Sequence, residues 1–110
     1  MSDEIKDLAR EIDAFSQERD WDQFHNPKDL AIALSIEASE LLEEFLWKQP
    51  GEEKVEKVRE ELADIFNYAL LMAGKYGFDV SEIVRDKLAK NALKYPVEKA
   101  KGVARKYNEL

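Results

Sequence analysis

Proline and glycine interrupt this 110-residue chain at few points, and those points decide most of what it can fold into. Three Pro and four Gly stand at or near the edges of long runs rich in Ala, Leu, Glu and Lys, the residues that lose least on entering a helix. Asn26-Pro27 supplies an N-cap and a first-turn proline. Pro50-Gly51 breaks a helical pattern, Gly77 offers a left-handed residue to close the next, and Pro96 cannot continue a fourth. The spacing therefore predicts an all-α fold of four helices, over roughly residues 3–19, 27–47, 53–76 and 80–95. Trp21 to Asn26 connects the first two, and Asp79-Val80-Ser81-Glu82 reads as a capping arrangement for the last. The tail from Val97 to Leu110 is free to run extended or to wrap over a partner.

With no internal repeat or linker, residues 1–110 read as a single domain, able to bury about two-thirds of its unfolded surface in one modest core. The expected apolar stripes are Ile5, Leu8, Ile12 and Phe15; Leu30, Leu34, Ala38, Leu41 and Phe45; and Val55, Val58, Leu62, Ile65, Phe66 and Ala69. Ile32, Ile36, Leu70 and Leu71 fall outside these stripes. Covering them calls for a homo-oligomer, at least a dimer, that completes a helical bundle.

Several function classes drop out on composition. The chain has no Cys and one His, His25, which removes disulfides, thiolate chemistry and multi-histidine metal sites within one chain. Its N-terminus lacks the basic and apolar regions of a signal peptide, and no apolar run approaches the 18 or so residues that span a bilayer, so a soluble, cytoplasmic protein without a membrane partner is expected. A net charge of −7 disfavours nucleic acid as a partner. The segment from Arg85 to Lys106 runs against this balance, with eight basic residues and only Asp86 and Glu98 opposing them. It can meet phosphates, or offset the acidic remainder through salt bridges.

The chemistry is concentrated in four acids, Glu37 and Glu40 in Glu37-Ala38-Ser39-Glu40, and Glu61 and Asp64 in Glu61-Leu62-Ala63-Asp64. On a helix such i,i+3 residues are neighbours, so each pair can offer two oxygens to one cation or bridge two. Oxygen ligands suit Mg²⁺ or Mn²⁺ rather than zinc. Acidic pairs at this spacing arise several times by chance in a chain with 24 acids among 110 residues, so position matters more than spacing. Glu37 flanks the apolar stripe of its helix and is expected to be half-buried, which demands a partner, either a metal or a Lys or Arg from another helix. A ferritin-like di-iron site needs Glu-x-x-His pairs that are absent. Lys87, Asn91 and Tyr95 recur every four residues and share a face suited to phosphates or to solvent. Trp21 and Trp47 lie near helix ends, where they can stack on a base or serve the core. Tyr68, one turn beyond Asp64, can touch a sugar or phosphate, or cap the core edge.

The order of Glu37-x-x-Glu40, twenty intervening residues, then Glu61-x-x-Asp64 resembles the all-α nucleoside triphosphate pyrophosphohydrolases of the MazG type. The segments Glu18-Arg19-Asp20-Trp21-Asp22-Gln23-Phe24-His25, Phe45-Leu46-Trp47-Lys48, Lys94-Tyr95-Pro96 and Ala104-Arg105-Lys106-Tyr107 are similar to the dCTP pyrophosphatase branch, and the match covers nearly the whole chain. The resemblance implies a four-helix MazG-type bundle, active as a dimer or tetramer with sites shared between subunits. It implies Mg²⁺-dependent conversion of a nucleoside triphosphate, dCTP or a modified dCTP, to monophosphate and pyrophosphate. Glu37, Glu40, Glu61 and Asp64 would be metal ligands, and Glu37 or Glu40 would also orient or deprotonate the attacking water. Trp21, Asp22, Gln23, Phe24, His25, Trp47 and Tyr68 would contact the substrate. Lys87, Asn91, Lys94, Tyr95 and Arg105 would hold its phosphates, and Glu44 would add a carboxylate nearby. Ile12 stands where animal members align a histidine in the base pocket, which leaves the base open. The alternative within the same fold is a regulatory module that binds nucleotide without turnover.

Overall fold

A computed structural model describes residues 3–110, all helices and turns with no strand among them. The chain forms α1 (Glu4–Glu18), a 3-10 turn (Asp22–Phe24), α2 (Pro27–Glu43), α3 (Val55–Tyr76), α4 (Val80–Lys94), α5 (Val97–Ala100) and a second 3-10 turn (Tyr107–Glu109). None of these helices is long and apolar enough to cross a membrane. They divide into two compact units, one ending at Phe78 and one spanning Asp79–Leu110.

In the first unit the helix starts follow their caps. The Asp3 carboxylate accepts from the N–H groups of Ile5 and Lys6, and the Asn26 side chain accepts from Asp29 N with Pro27 in the first turn. α3 closes on Gly77, whose φ of 69° is the left-handed conformation that costs glycine nothing. α2 packs mainly on α3, and α1 also lies on α3.

α2 ends at Glu43, short of the expected Trp47. From Glu44 to Leu46 the backbone switches to i→i−3 bonds, Glu44 N to Leu41 O at 3.2 Å, Phe45 N to Leu42 O at 3.0 Å and Leu46 N to Glu43 O at 3.3 Å. The Lys48 ammonium donates to the Glu44 carbonyl at 2.9 Å, satisfying a helix-end acceptor, and Trp47 turns left-handed at φ 63° to send the chain toward α3.

The core face of α3 also differs from the expected stripe. Leu70 and Ala73 are buried, as is Leu30 on α2, whereas Leu62 and Phe66 are 44% and 59% exposed. α3 is apolar on more than one side, so periodicity alone does not select the face that packs. Ile32 and Ile36 on α2 are likewise exposed, and Ile5, Leu8 and Phe15 on α1 are incompletely covered.

The second unit begins with Asp79 accepting from Glu82 N, and α4 runs to Lys94 before Pro96. The tail is not simply extended. Pro96 O accepts from Lys99 and Ala100 to nucleate α5, and Tyr107 returns to set its ring 6.2 Å from Tyr95, edge to face, with the Lys94 ammonium 4.8 Å from the Tyr107 centroid.

Leu30 is 1% exposed and central to the first unit. Leu30→Ala is expected to lower unfolding stability by about 2–5 kcal/mol, through lost burial and the cavity left behind. Urea unfolding followed by circular dichroism measures this, and a loss below about 1 kcal/mol would place the core elsewhere.

Candidate active site

The acids of α2 and α3 sit on helix faces turned toward each other. One carboxylate oxygen from each of Glu37, Glu61 and Asp64 lies within 4.8 Å of the other two. Glu40 stands beside Glu37 and Glu61, acting on the protonation of both, without joining that mutual set. Glu37 Oε2 and Glu61 Oε2 are buried with no hydrogen-bond partner. Among the described residues no lysine or arginine pairs with any of the four acids.

This is a costly arrangement for carboxylates, and their protonation reflects it. Burial first, then the adjoining Glu40 and Glu61 carboxyl groups and the charges of Glu40 and Asp64, pushes Glu37 up to about 7. Burial, followed by hydrogen bonding to Glu40, also raises Glu61. The Tyr68 phenol is raised by burial and then by the Glu37, Asp64 and Glu40 charges. Orphaned buried oxygens from an all-carboxylate donor set fit a hard divalent cation such as Mg²⁺ or Mn²⁺.

Next to the acids is a cleft of about 310 Å³ between α1, the connector and α3. Ile12, Phe15, Trp21, Tyr68 and Leu71 give it apolar walls, Glu11, Ser16, His25 and Asn67 add polar groups, and Asp64 joins it to the acidic cluster. Trp21 is held by its N–H on Ser16 O at 2.9 Å and by an edge-to-face contact with Phe15 at 5.9 Å. The Arg19 guanidinium lies over the Phe15 ring, 3.5 Å from its centroid. His25 Nδ1 is buried and unpartnered. Asn67 donates weakly to Asp64 Oδ1 at 3.4 Å.

Of the connector residues expected to meet substrate, Trp21 and His25 line the cleft with Tyr68, while Asp22, Gln23 and Phe24 do not. Asp22 accepts from Lys75 Nζ at 2.7 Å, and Lys75 pulls its carboxyl below the usual carboxylate range through that hydrogen bond and then its charge. Gln23 Nε2 donates to Asp20 O and Oδ2, and Phe24 is exposed. Trp47 is fully exposed on the turn after α2 and lines neither this cleft nor the acidic cluster. Glu44 is half-buried outside the three-acid set. In the second unit Lys87, Lys94, Tyr95 and Arg105 are exposed and Asn91 is half-buried. Glu11, Phe15, Ser16, Asn67 and Leu71 also line the cleft, although the sequence motifs do not mark them as site residues. Asn67 had a readable signal, since it follows Asp64 by three residues, and Ser16 had another as a small polar residue directly after the apolar Phe15.

Comparison with known proteins places the chain in a family. A model of the MazG-like family matches residues 32–110. The chain is 36% identical over 114 residues to dCTP pyrophosphatase 1 of Mus musculus, covering 96% of this chain and 67% of that protein. It is 37% identical to dCTP pyrophosphatase 1 of Bos taurus, with 96% and 68% covered. A solved pyrophosphatase from Archaeoglobus fulgidus superposes with a TM-score of 0.78 at 34% identity, over 87% of this chain and 95% of that one.

The raised Glu37 carboxyl has a direct thermodynamic consequence. Its folded value of about 7 exceeds the ordinary 4.5, so the native state holds this proton more tightly than the unfolded chain. The associated stability is complete below about pH 4.5 and is lost as pH rises through 7. Metal-free protein should therefore show a melting temperature that falls between pH 5 and 8, and Glu37→Gln should flatten that fall. Saturating Mg²⁺ or Mn²⁺ at pH 8 should raise the melting temperature of the parent and much less that of the variant. Differential scanning fluorimetry reads both, and identical pH profiles for parent and variant would contradict the assignment.

Proposed function

The chain belongs to the MazG-like family, and from that membership and the geometry of its acids we propose that it hydrolyses dCTP or a modified dCTP to the nucleoside monophosphate and pyrophosphate with Mg²⁺. The coarser activity, nucleoside triphosphate pyrophosphohydrolase, follows from its relatives. The observation that carries the reading is the meeting of Glu37, Glu61 and Asp64 at the edge of an aromatic cleft.

Glu37, Glu61 and Asp64, with Glu40 beside them, would hold the metal. A divalent ion bound there supplies neutralisation of the phosphate oxygens. The cleft offers apolar walls to a base placed against Trp21, Phe15 and Tyr68, and its volume of about 310 Å³ is at the low end for small-molecule pockets, which suits a base better than a whole nucleotide. The triphosphate then runs from the cleft past Asp64 toward the acids. Water attacks the α-phosphorus, a P–O bond forms, and the bond from that phosphorus to the bridging oxygen of the β-phosphate breaks to release pyrophosphate. Glu40 or Glu37 orients this water and takes its proton, and burial raises the proton affinity of Glu37. Lys87, Asn91, Lys94, Tyr95 and Arg105 are the proposed phosphate-holding groups of the second unit.

The exposed Ile32 and Ile36 on α2, with Leu62 and Phe66 on α3, support assembly into a homo-oligomer. Each pair is four residues apart and lies on a single helical face. Light scattering at micromolar concentration is expected to give at least a dimer mass, and a monomer mass would remove this part of the proposal.

Turnover is tested by incubating the protein with Mg²⁺ and a panel of nucleoside triphosphates and separating the products. The expected result is dCMP and pyrophosphate from dCTP, or the matching products from a 5-substituted dCTP. Glu40→Gln should reduce turnover at least about 100-fold with an unchanged helical circular dichroism spectrum. Parent-like turnover in that variant would sink the role given to Glu40, and nucleotide binding without products would favour the regulatory module.

A further inference from the structure

The connector between α1 and α2 presents Trp21 and His25 to the cleft, but the residue following Trp21 faces elsewhere. Asp22 and Lys75 line a separate groove of about 410 Å³ on the other side of the α1 and α3 packing, and Leu71 borders both spaces. The Lys75 ammonium donates to Asp22 Oδ1 at 2.7 Å, joining residues 53 apart in sequence. Their side chains are 27% and 49% exposed, so the pair is neither buried nor freely solvated. Lys75 lies in the last turn of α3, the helix that also carries Glu61, Asp64 and Tyr68.

The other restraints on this connector run to its neighbours in sequence, among them the Phe15 ring of α1 against Trp21 and the Asn26 cap on α2. Trp21 N–H reaches back to Ser16 O, Gln23 holds Asp20, and Asp20 adopts a left-handed φ of 56° at the turn out of α1. These contacts fix the connector to itself, to the end of α1 and to the start of α2. They reach α3, the opposite wall of the cleft, only through the packing of α1 and α2 on it. A base stacked between Trp21 and Tyr68 depends on the distance between those walls, and the Lys75 to Asp22 bond is a direct hydrogen bond across it.

We propose that the Asp22–Lys75 ion pair is a strut that ties the Trp21 to His25 wall to α3 and so sets the geometry in which the base is held. Lys75 and Asp22 are positioning residues acting through Trp21, and the substrate part of this role rests on the reading that the cleft takes the base of a nucleotide. The acids that face the phosphates lie on α2 and α3 and do not depend on the connector, so the strut acts on base affinity and not on phosphate binding or the chemical step. Half-exposed pairs are weakened by salt, which gives the device a second signature.

Lys75→Met keeps the aliphatic stem and removes the ammonium, Asp22→Asn removes the opposing charge, and Lys75→Arg restores a cation. Lys75→Met and Asp22→Asn should each raise KM for dCTP about threefold to fivefold, the scale of a partly exposed charged hydrogen bond. kcat should stay within about twofold, as expected when only ground-state binding is lost. The inhibition constant of inorganic tripolyphosphate, which has no base, should not move. Lys75→Arg should sit near the parent, and the double variant should cost no more than either single one, because the two residues act as a unit.

A readout independent of activity separates failure of the strut from failure of the enzymatic reading. In a Trp47→Phe background Trp21 is the sole tryptophan. Acrylamide quenching of its fluorescence should rise in Lys75→Met and in Asp22→Asn, and 1 M NaCl should move the parent toward the variants. Unchanged quenching in both variants overturns the strut even if turnover is seen. Increased quenching supports it even if no triphosphate is hydrolysed, and an equal rise in KM for dCTP and in the tripolyphosphate constant overturns its assignment to the base.

Discussion

Repulsion among the carboxylates between α2 and α3 is the constraint to which the rest of the first unit answers. Two like charges 4.8 Å apart, the outer separation of the Glu37, Glu61 and Asp64 oxygens, repel by about 3 kcal/mol at an effective dielectric of about 20. Full burial of a leucine contributes about 1.5–3 kcal/mol, so Leu30 and Leu70 together offset little more than one such pair. The helices can keep three acids together at neutral pH only if a proton or a cation joins them. The upward shift of Glu37 is the proton's answer, and the unpartnered Oε2 atoms of Glu37 and Glu61 are where a cation would serve. Helices suit this task better than loops, because the side chains are aimed by backbone that is hydrogen-bonded on its own account.

Local rules located most of the helices and the acids, and they fail where tertiary contacts decide. Asn26-Pro27, Gly77 and Asp79 mark helix ends through groups that cap backbone within a few residues, and the structure uses all three as such. The end of α2 was not legible, since Phe45-Leu46-Trp47 contains no breaker and the stop comes from tightened bonds, Lys48 on a carbonyl and a left-handed Trp47. The convergence of Glu37, Glu61 and Asp64 was accessible because i,i+3 spacing and half-burial are both readable from one helix at a time. The cleft was only partly so. A 3-10 turn has three residues per turn, so Asp22, Gln23 and Phe24 point in three directions and cannot all face one ligand, although as a sequence they read as one block. Glu11 and Ser16 of α1 line the same cleft as Asn67 of α3, a juxtaposition that neither helix encodes alone.

The faces of α2 and α3 that remain uncovered bear on the acids as well as on assembly. Ile36 adjoins Glu37 in sequence, and Leu62 adjoins Glu61, yet both apolar residues are exposed while the two acids each hide an oxygen. Covering Ile36 and Leu62 with the proposed second copy would remove water from the neighbourhood of the same carboxylates and strengthen every charge interaction among them. Burial of those faces would raise the cost of the unneutralised cluster, and a cation would lower it by more than it does in the isolated chain. Assembly and cation binding would then be coupled through the dielectric around Glu37 and Glu61, with neither needing to contact the other directly.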